Sequence, residues 1–375
     1  MKRTIAIFGL LFCAFFSNAQ KKLIGNVLAK DSKLPVASAS IFLSNTSVGT
    51  ISKDNGSFVL QPFPEGRFDL VVSMIGYETY SVAISSSTIP SNLEILLVPK
   101  VKELQEVIVL NYEKDGWKKW GDFFMENLIG KTPNAEDCKL LNKEVVRFRF
   151  NKKTNTLKAY ADQPLHIQNE ALGYELKYDL NVFEFNYSTR VLFYQGYPLF
   201  SDLEAKNDRV ETRWKKNREE TYNGSIMHFM RSLYRNTLEA EGYEVRRIKR
   251  NKEKKNQPFS NGSDNFNILI NTLLKGDSIA FVIDSVTLGL QFKDHLQVVY
   301  KRKYMPESYR LTQKEMWPKQ PMTAEIFMPD TEKVVVVLAN GSYFSGKDVL
   351  ALGYWAWSEK LSNMLPLDYS PPKKK

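Results

Sequence analysis

The sequence predicts a mostly β, α+β chain: a small antiparallel β-sandwich, then a larger antiparallel β-rich domain with packed helices. Three observations predict this. Between Ala37 and Tyr80, short two-periodic apolar runs (Ile41, Leu43; Phe58, Leu60; Leu70, Val72) are cut by Asp54-Asn55-Gly56, Pro64-Glu65-Gly66 and Ile75-Gly76-Tyr77. Such runs, punctuated by Asn-Gly and Pro/Gly signals, are hairpin language. Further on, Tyr174, Leu176, Tyr178 and Leu180 alternate with Glu175, Lys177, Asp179 and Asn181, the pattern of a sheet with one wet face. Finally, 375 residues exceed one small sandwich and suit two folded units after a targeting segment.

Residues 1–19 read as a secretory signal: Lys2 and Arg3, the apolar run Ile5–Phe16, then Ser17-Asn18-Ala19 at the cleavage positions. The mature chain then begins at Gln20. The rival reading is a lipoprotein acylated at Cys13, although Phe12 sits where a lipobox carries a small residue. After cleavage Cys138 is alone, so stability must come from core burial and not from a disulfide. The net charge of +10 permits contact with anionic envelope surfaces. Export argues against nucleic acid, and no transmembrane span is expected after signal cleavage.

Residues 20–100 form the sandwich, with Leu23, Gly25 and Val27 in its first strand and Leu93–Val98 as its last. Gly56 and Gly66 take turn positions that favour positive φ. The series Gly25-Asn26-Val27, Pro35-Val36-Ala37-Ser38-Ala39, Gly49-Thr50, Asp54-Asn55-Gly56-Ser57-Phe58, Gly76-Tyr77-Glu78 and Leu93-Glu94-Ile95-Leu96-Leu97 resembles the carboxypeptidase-regulatory-like (prealbumin-like) domain. That resemblance implies a seven-stranded sandwich, an accessory role, and the secreted and outer-membrane proteins of the Bacteroidetes among which the domain is abundant. Residues 101–110 (VKELQEVIVL) resemble the tail that leads from this module into the plug of TonB-dependent receptors. Too little chain follows for a barrel, so Val107–Val109 reads as a linking strand.

Residues 111–370 form the second domain. Asn111–Leu141 reads as mostly helical: Trp117, Trp120, Phe123, Phe124 and Leu128 recur at three- and four-residue steps. Packing is the expected fate of this stripe, with stacking of Trp117 and Trp120 on sugar rings as the alternative. Lys143–Phe200 returns to strands. Asp208–Gly242 reads as two helical pieces split at Asn223-Gly224, the second capped by Ser225 and stopped by Gly242. Tyr243–Arg250 resumes a strand, whereas the basic run Arg246–Lys255 and the polar Asn256–Asp264 read as an exposed, mobile loop. Further strands follow at Ile268–Leu274, Ser278–Phe292, Leu296–Tyr300, Thr323–Phe327 and Val334–Leu338. Leu350–Pro366 is a final packing element, and residues 371–375 are a basic tail. The second domain is expected to contain a curved antiparallel sheet with helices packed against it.

Arg213-Trp214-x-x-Asn217-Arg218, followed by Gly224-Ser225-x-x-His228-Phe229-x-Arg231-Ser232-Leu233, resembles a motif of uncharacterised Bacteroidetes proteins with the same front domain. Arg213, Trp214, Asn217, Arg218, His228 and Arg231 are therefore the candidate interaction residues. A cluster around His228 that binds an anion, a glycan acid or a lipid phosphate is one reading. The plainer one is a packed helix whose arginines meet carboxylates such as Glu219, Glu220 or Glu239.

Catalytic constellations are not assembled in the sequence. None of His166, His228 and His295 has Glu at the third following position, as a zinc carboxypeptidase needs. Gly341-Ser342-Tyr343-Phe344-Ser345-Gly346 only echoes a serine-hydrolase elbow. No cofactor and no metal are expected, and no catalytic residue is assigned. The expectation is an exported, non-enzymatic binding or scaffold protein of the periplasm or the periplasmic face of the outer membrane. An envelope protein, a glycan or a lipid is its expected partner. The alternatives are an envelope hydrolase with its site in the second domain and a lipid or glycan carrier.

Overall fold

The computed structural model describes residues 21–100, 112–251, 266–313 and 319–372. The signal segment with Cys13 and Gln20, the 101–110 strand, the Asn256–Asp264 loop and the tail beyond Pro372 lie outside the described residues. The described residues fall into two compact units, one within residues 21–100 without 44–47, the other of residues 44–47 with the described residues from 112 onward.

The first unit is the expected seven-stranded sandwich. Its strands are β1 (Leu23–Ala29), β2 (Ser40–Leu43), β3 (Gly49–Ile51), β4 (Ser57–Leu60), β5 (Arg67–Ser73), β6 (Tyr80–Ser85) and β7 (Leu93–Leu97). One sheet has the order β4-β1-β7 and the other β3-β2-β5-β6. Alternate residues of β1 (Leu23, Gly25, Val27, Ala29) face different surroundings from their neighbours, and Leu23 and Val27 join Ile41, Leu43, Phe58, Leu60, Leu70, Val72, Ile95 and Leu97 in the interior. Gly56 and Gly66 have φ of 77° and 121°, as the turns require. The β1–β7 pairing is parallel, unlike the other ladders of this unit. It passes so close at Gly25 that a Cβ there would lie 2.3 Å from the Leu93 carbonyl oxygen.

Among its described residues the second unit holds three antiparallel sheets with helices packed against them, the expected β-rich α+β arrangement. The first part comprises α1 (Gly116–Leu128), α2 (Pro133–Glu136), β8 (Cys138–Leu140), β9 (Val146–Asn151), β10 (Thr156–Ala161), β11 (Leu165–Asn169), β12 (Tyr174–Asn186) and β13 (Val191–Asp202). The sheet order is β8-β11-β12-β10-β9, with β13 along the other edge of β12. The apolar stripe of α1 folds onto it: Phe124 meets Phe148 edge-on at 5.7 Å and Phe183 at 4.9 Å. A register shift against β13 falls between Leu180 and Val182. It brings Leu180 and Phe183, which differ in parity along the strand, to the same core. Within Asn111–Leu141, expected to be mostly helical, Cys138–Leu140 is instead a strand that extends the sheet beside β11.

Three helices follow: α3 (Asp208–Tyr222), α4 (Ile226–Tyr234) and α5 (Leu238–Glu241). Asn207 caps α3 by accepting from the Val210 N–H, and the Ser225 hydroxyl accepts from the His228 N–H at 3.1 Å to cap α4. Gly242, at φ 96°, ends α5. Phe229, Met230 and Leu233 of α4 are fully buried; each such side chain contributes roughly 1.5–3 kcal/mol.

The remaining elements are β14 (Tyr243–Asn251), β15 (Phe266–Leu273), β16 (Ala280–Val282), β17 (Thr287–Leu290), β18 (His295–Tyr304), α6 (Glu307–Thr312), β19 (Pro321–Phe327), β20 (Val335–Leu338), β21 (Tyr343–Phe344), β22 (Leu350–Gly353) and α7 (Tyr354–Ser358). They build the sheets β15-β14-β18-β19-β22 and β16-β17-β20-β21. Arg246–Asn251, expected to open a loop, are ladder residues between β15 and β18. Their charges are carried there by ion pairs, Arg246 with Glu244 at 2.9 Å and Arg250 with Glu325 at 2.6 Å.

Candidate functional site

The six residues singled out in the sequence fall into two groups. Arg213, Trp214, Asn217 and Arg218 lie along α3 and meet the turn from β11 to β12. Trp214 Nε1 donates to the Glu170 carbonyl at 2.7 Å, and Arg213 Nη2 donates to the same oxygen at 3.3 Å. Asn217 Nδ2 donates to Ala171 O at 2.8 Å. Arg218 donates from Nε to Leu172 O at 2.7 Å and from Nη2 to Gly173 O at 3.0 Å. The same guanidinium pairs with Asp202 at 2.8 Å and lies 3.8 Å from the centre of the Tyr174 ring. Four consecutive carbonyls are thereby satisfied from one helix face. Burial pushes the Tyr174 phenol pKa up. Gly173, at φ 70°, leaves room for the indole; a Cβ there would stand 2.2 Å from Trp214 Cδ2.

His228 and Arg231 lie on α4. Arg231 is 5% exposed, and its three nitrogens each take a main-chain carbonyl: Nε to Asn340 at 2.8 Å, Nη1 to Tyr369 at 3.0 Å and Nη2 to Leu367 at 3.0 Å. Carbonyls thus stand where carboxylates were expected. His228 is 3% exposed, and its Nδ1 accepts from the Gly224 N–H at 3.2 Å, which places the ring proton on Nε2, 3.5 Å from Glu241. Its ring packs among Tyr222, Tyr243 and Tyr300. Tyr222 links the two residues, for the Arg231 guanidinium lies 5.4 Å from its ring centre. Both groups fasten helices to main chain, and neither presents these side chains around an open space.

An open space does exist at the start of α1. A cleft of about 470 Å³ is lined by Glu113, Asp115, Gly116, Trp117, Lys118, Lys143, Glu144, Val146, Arg147 and Phe148. Two glycines position its aromatic wall. Gly121 lies under Trp117, where a Cβ would stand 2.8 Å from Cε2, and a Cβ on Gly116 would stand 3.2 Å from Phe148. Mid-helix glycine costs about 1 kcal/mol relative to alanine, so Gly121 trades helix stability for the indole's position. Trp117 also packs on Phe124 and Phe148, with centroids 6.3 and 6.2 Å away. Arg147 Nη1 is anchored to the Glu144 and Val146 carbonyls. Glu113 pairs with Lys119 at 2.8 Å.

Trp117 was legible as a candidate. Its charged neighbours were not, because they come from two stretches that only the α1–β9 packing brings together. Among the described residues no group of three or more His, Cys, Asp or Glu side chains is placed to hold a metal ion. No helix among them is long and apolar enough to cross a membrane.

Comparison with known proteins places the front of the chain in a class: residues 23–109 match the CarboxypepD_reg-like domain family. No curated protein matches the chain. Among solved structures, it is similar to a chain of a type II cohesin–X-dockerin complex from Acetivibrio cellulolyticus. There the identity is 15% and the TM-score 0.17, over 20% of this chain and 56% of that one, so the chain spans little more than half of that protein. It is also similar to a candidate carbohydrate binding protein from Bacteroides uniformis, with 9% identity and a TM-score of 0.17 over 49% of this chain and 79% of that one.

Proposed function

We propose that this is an exported binding or scaffold protein of a Bacteroidetes cell envelope, held in the periplasm or on the periplasmic face of the outer membrane. The CarboxypepD_reg-like unit serves as its accessory module, and the cleft between α1 and β9 is where the second unit meets its ligand. The observation that carries this reading is the cleft itself: an indole beside carboxylates and cations in one open cavity. The export-type residues 1–19 support the location.

A photo-crosslinking amino acid placed at Lys118 in intact cells tests it. The variant is expected in the envelope fraction and should capture a partner there. The same amino acid at the exposed Lys152 should not. Equal capture at both positions, or a cytosolic chain that keeps residues 1–19, would refute the reading.

A further inference from the structure

Resting on that reading of the site, we infer that the ligand of the α1–β9 cleft is a neutral saccharide. A sugar ring would lie against Trp117, with its hydroxyls held by Asp115, Lys118, Lys143 and Glu144. The balance of charge makes the first case. Three carboxylates (Glu113, Asp115, Glu144) and three cations (Lys118, Lys143, Arg147) share the wall. A phosphate or a carboxylate ligand would meet acids there, and a cationic ligand would meet lysines and an arginine. A neutral ligand meets neither penalty.

Donor and acceptor capacity makes the second. Among the described residues, the side chains of Asp115, Lys118, Lys143 and Glu144 have no hydrogen bond or ion pair, whereas Glu113 is paired with Lys119. Carboxylates only accept and ammonium groups only donate. A hydroxyl does both, so a ring bearing several hydroxyls can satisfy the two kinds of group at once.

The apolar surface makes the third. Val146 and Phe148 are 4% and 1% exposed, so nearly all of their surface is already covered by the protein. The half-buried Trp117 is left as the main apolar face. One indole suits the C–H face of a sugar ring but gives an acyl chain little to lie along. The volume is within the range of small-ligand pockets.

The test titrates the purified full chain with maltotriose, cellotriose, mannotriose and chitotriose, following tryptophan fluorescence and heat. Inorganic phosphate, glucuronate and phosphocholine serve as charged or zwitterionic comparisons. At least one neutral trisaccharide should bind, with little dependence on salt. Lys118→Ala and Glu144→Gln should each weaken it about tenfold, the loss of one hydrogen bond to a charged group, without moving the melting temperature. If no neutral saccharide binds while the crosslinker at position 118 still captures a partner, the ligand class is wrong and the site stands. Preferential binding of phosphate, glucuronate or phosphocholine overturns the inference in the same way. If position 118 captures nothing, the reading of the cleft falls with it.

Discussion

The carboxylate of Glu359, just past α7, accepts a hydrogen bond from the backbone N–H of Ile226 at the start of α4, at 3.3 Å. The two residues are 133 positions apart, and this bond holds the capped end of the central helix. Lys303 is in the same surroundings, donating through Nζ to the carbonyls of Glu220 at 2.8 Å and Asn223 at 3.3 Å. Burial pushes the Glu359 carboxyl up to about 7, against the opposing pull of the Ile226 N–H and of Lys303.

A stability change with pH follows. The folded chain holds the Glu359 proton more tightly than the unfolded chain does. The contribution is therefore complete below about pH 4.5 and is lost as pH rises through about 7. The loss is on the order of 3 kcal/mol. Glu359→Gln keeps an oxygen for the Ile226 N–H and removes the proton. Urea denaturation between pH 5 and 8 should show the wild-type chain losing stability and the Gln variant losing much less. Identical slopes would show that this carboxyl is not the source.

Arg231 should be irreplaceable by lysine. Its planar fork reaches three carbonyls in different directions while buried against Tyr222. An ammonium has three donors but no such fork. Arg231→Lys is expected to lose about 2–4 kcal/mol, because buried carbonyls are left without donors. A chevron or equilibrium melt that moved by less than about 0.5 kcal/mol would deny the carbonyls this role.

The turn at 170–173 separates two effects that both involve Trp214. Trp214→Phe removes the Nε1 donor to Glu170 and part of the buried indole, while Arg213 still donates to that oxygen, so a loss of about 1–3 kcal/mol is expected. Gly173→Ala adds a Cβ at positive φ and drives it into the indole. That change should exceed the first and reduce soluble yield. The order of the two melting temperatures decides it: an alanine variant more stable than the phenylalanine one would contradict the packing.

Much of the fold was legible because its signals are local. The alternation from Tyr174 to Leu180 marked β12, and Ser225 and Gly242 marked the ends of the α4–α5 segment. Phe183 lies out of phase with that alternation, and the register shift near Leu180 is the structural cause. The charge run after Val245 misled, since a strand between two partners can carry arginines when carboxylates such as Glu244 and Glu325 stand beside them. The partners of Arg231 lie at 340, 367 and 369, more than a hundred residues away and on main-chain atoms, so no side-chain pattern announces them. The cleft was hidden for the same reason: residues 113–118 and 143–148 have no local signal that they meet.

Cys138 gives the final prediction. Its thiol is buried at the start of β8, and Sγ donates to the Asn134 carbonyl at 3.3 Å. Burial, with a smaller effect from Asp137, pushes it up to about 12. At pH 8 only about one molecule in ten thousand then carries the reactive thiolate, and access is blocked as well. With Cys13 replaced by serine, the folded chain should therefore give no reaction with a disulfide reagent at pH 8. One equivalent should appear on unfolding in urea. The thiol favours the folded state below about pH 9, its ordinary value, and that contribution is lost as pH rises toward 12. Cys138→Ala, by removing the buried sulfur and its hydrogen bond, should lower stability by about 1 kcal/mol. Rapid labelling of the native chain would mean that β8 opens readily and that its pairing with β11 is not a stable edge of the sheet.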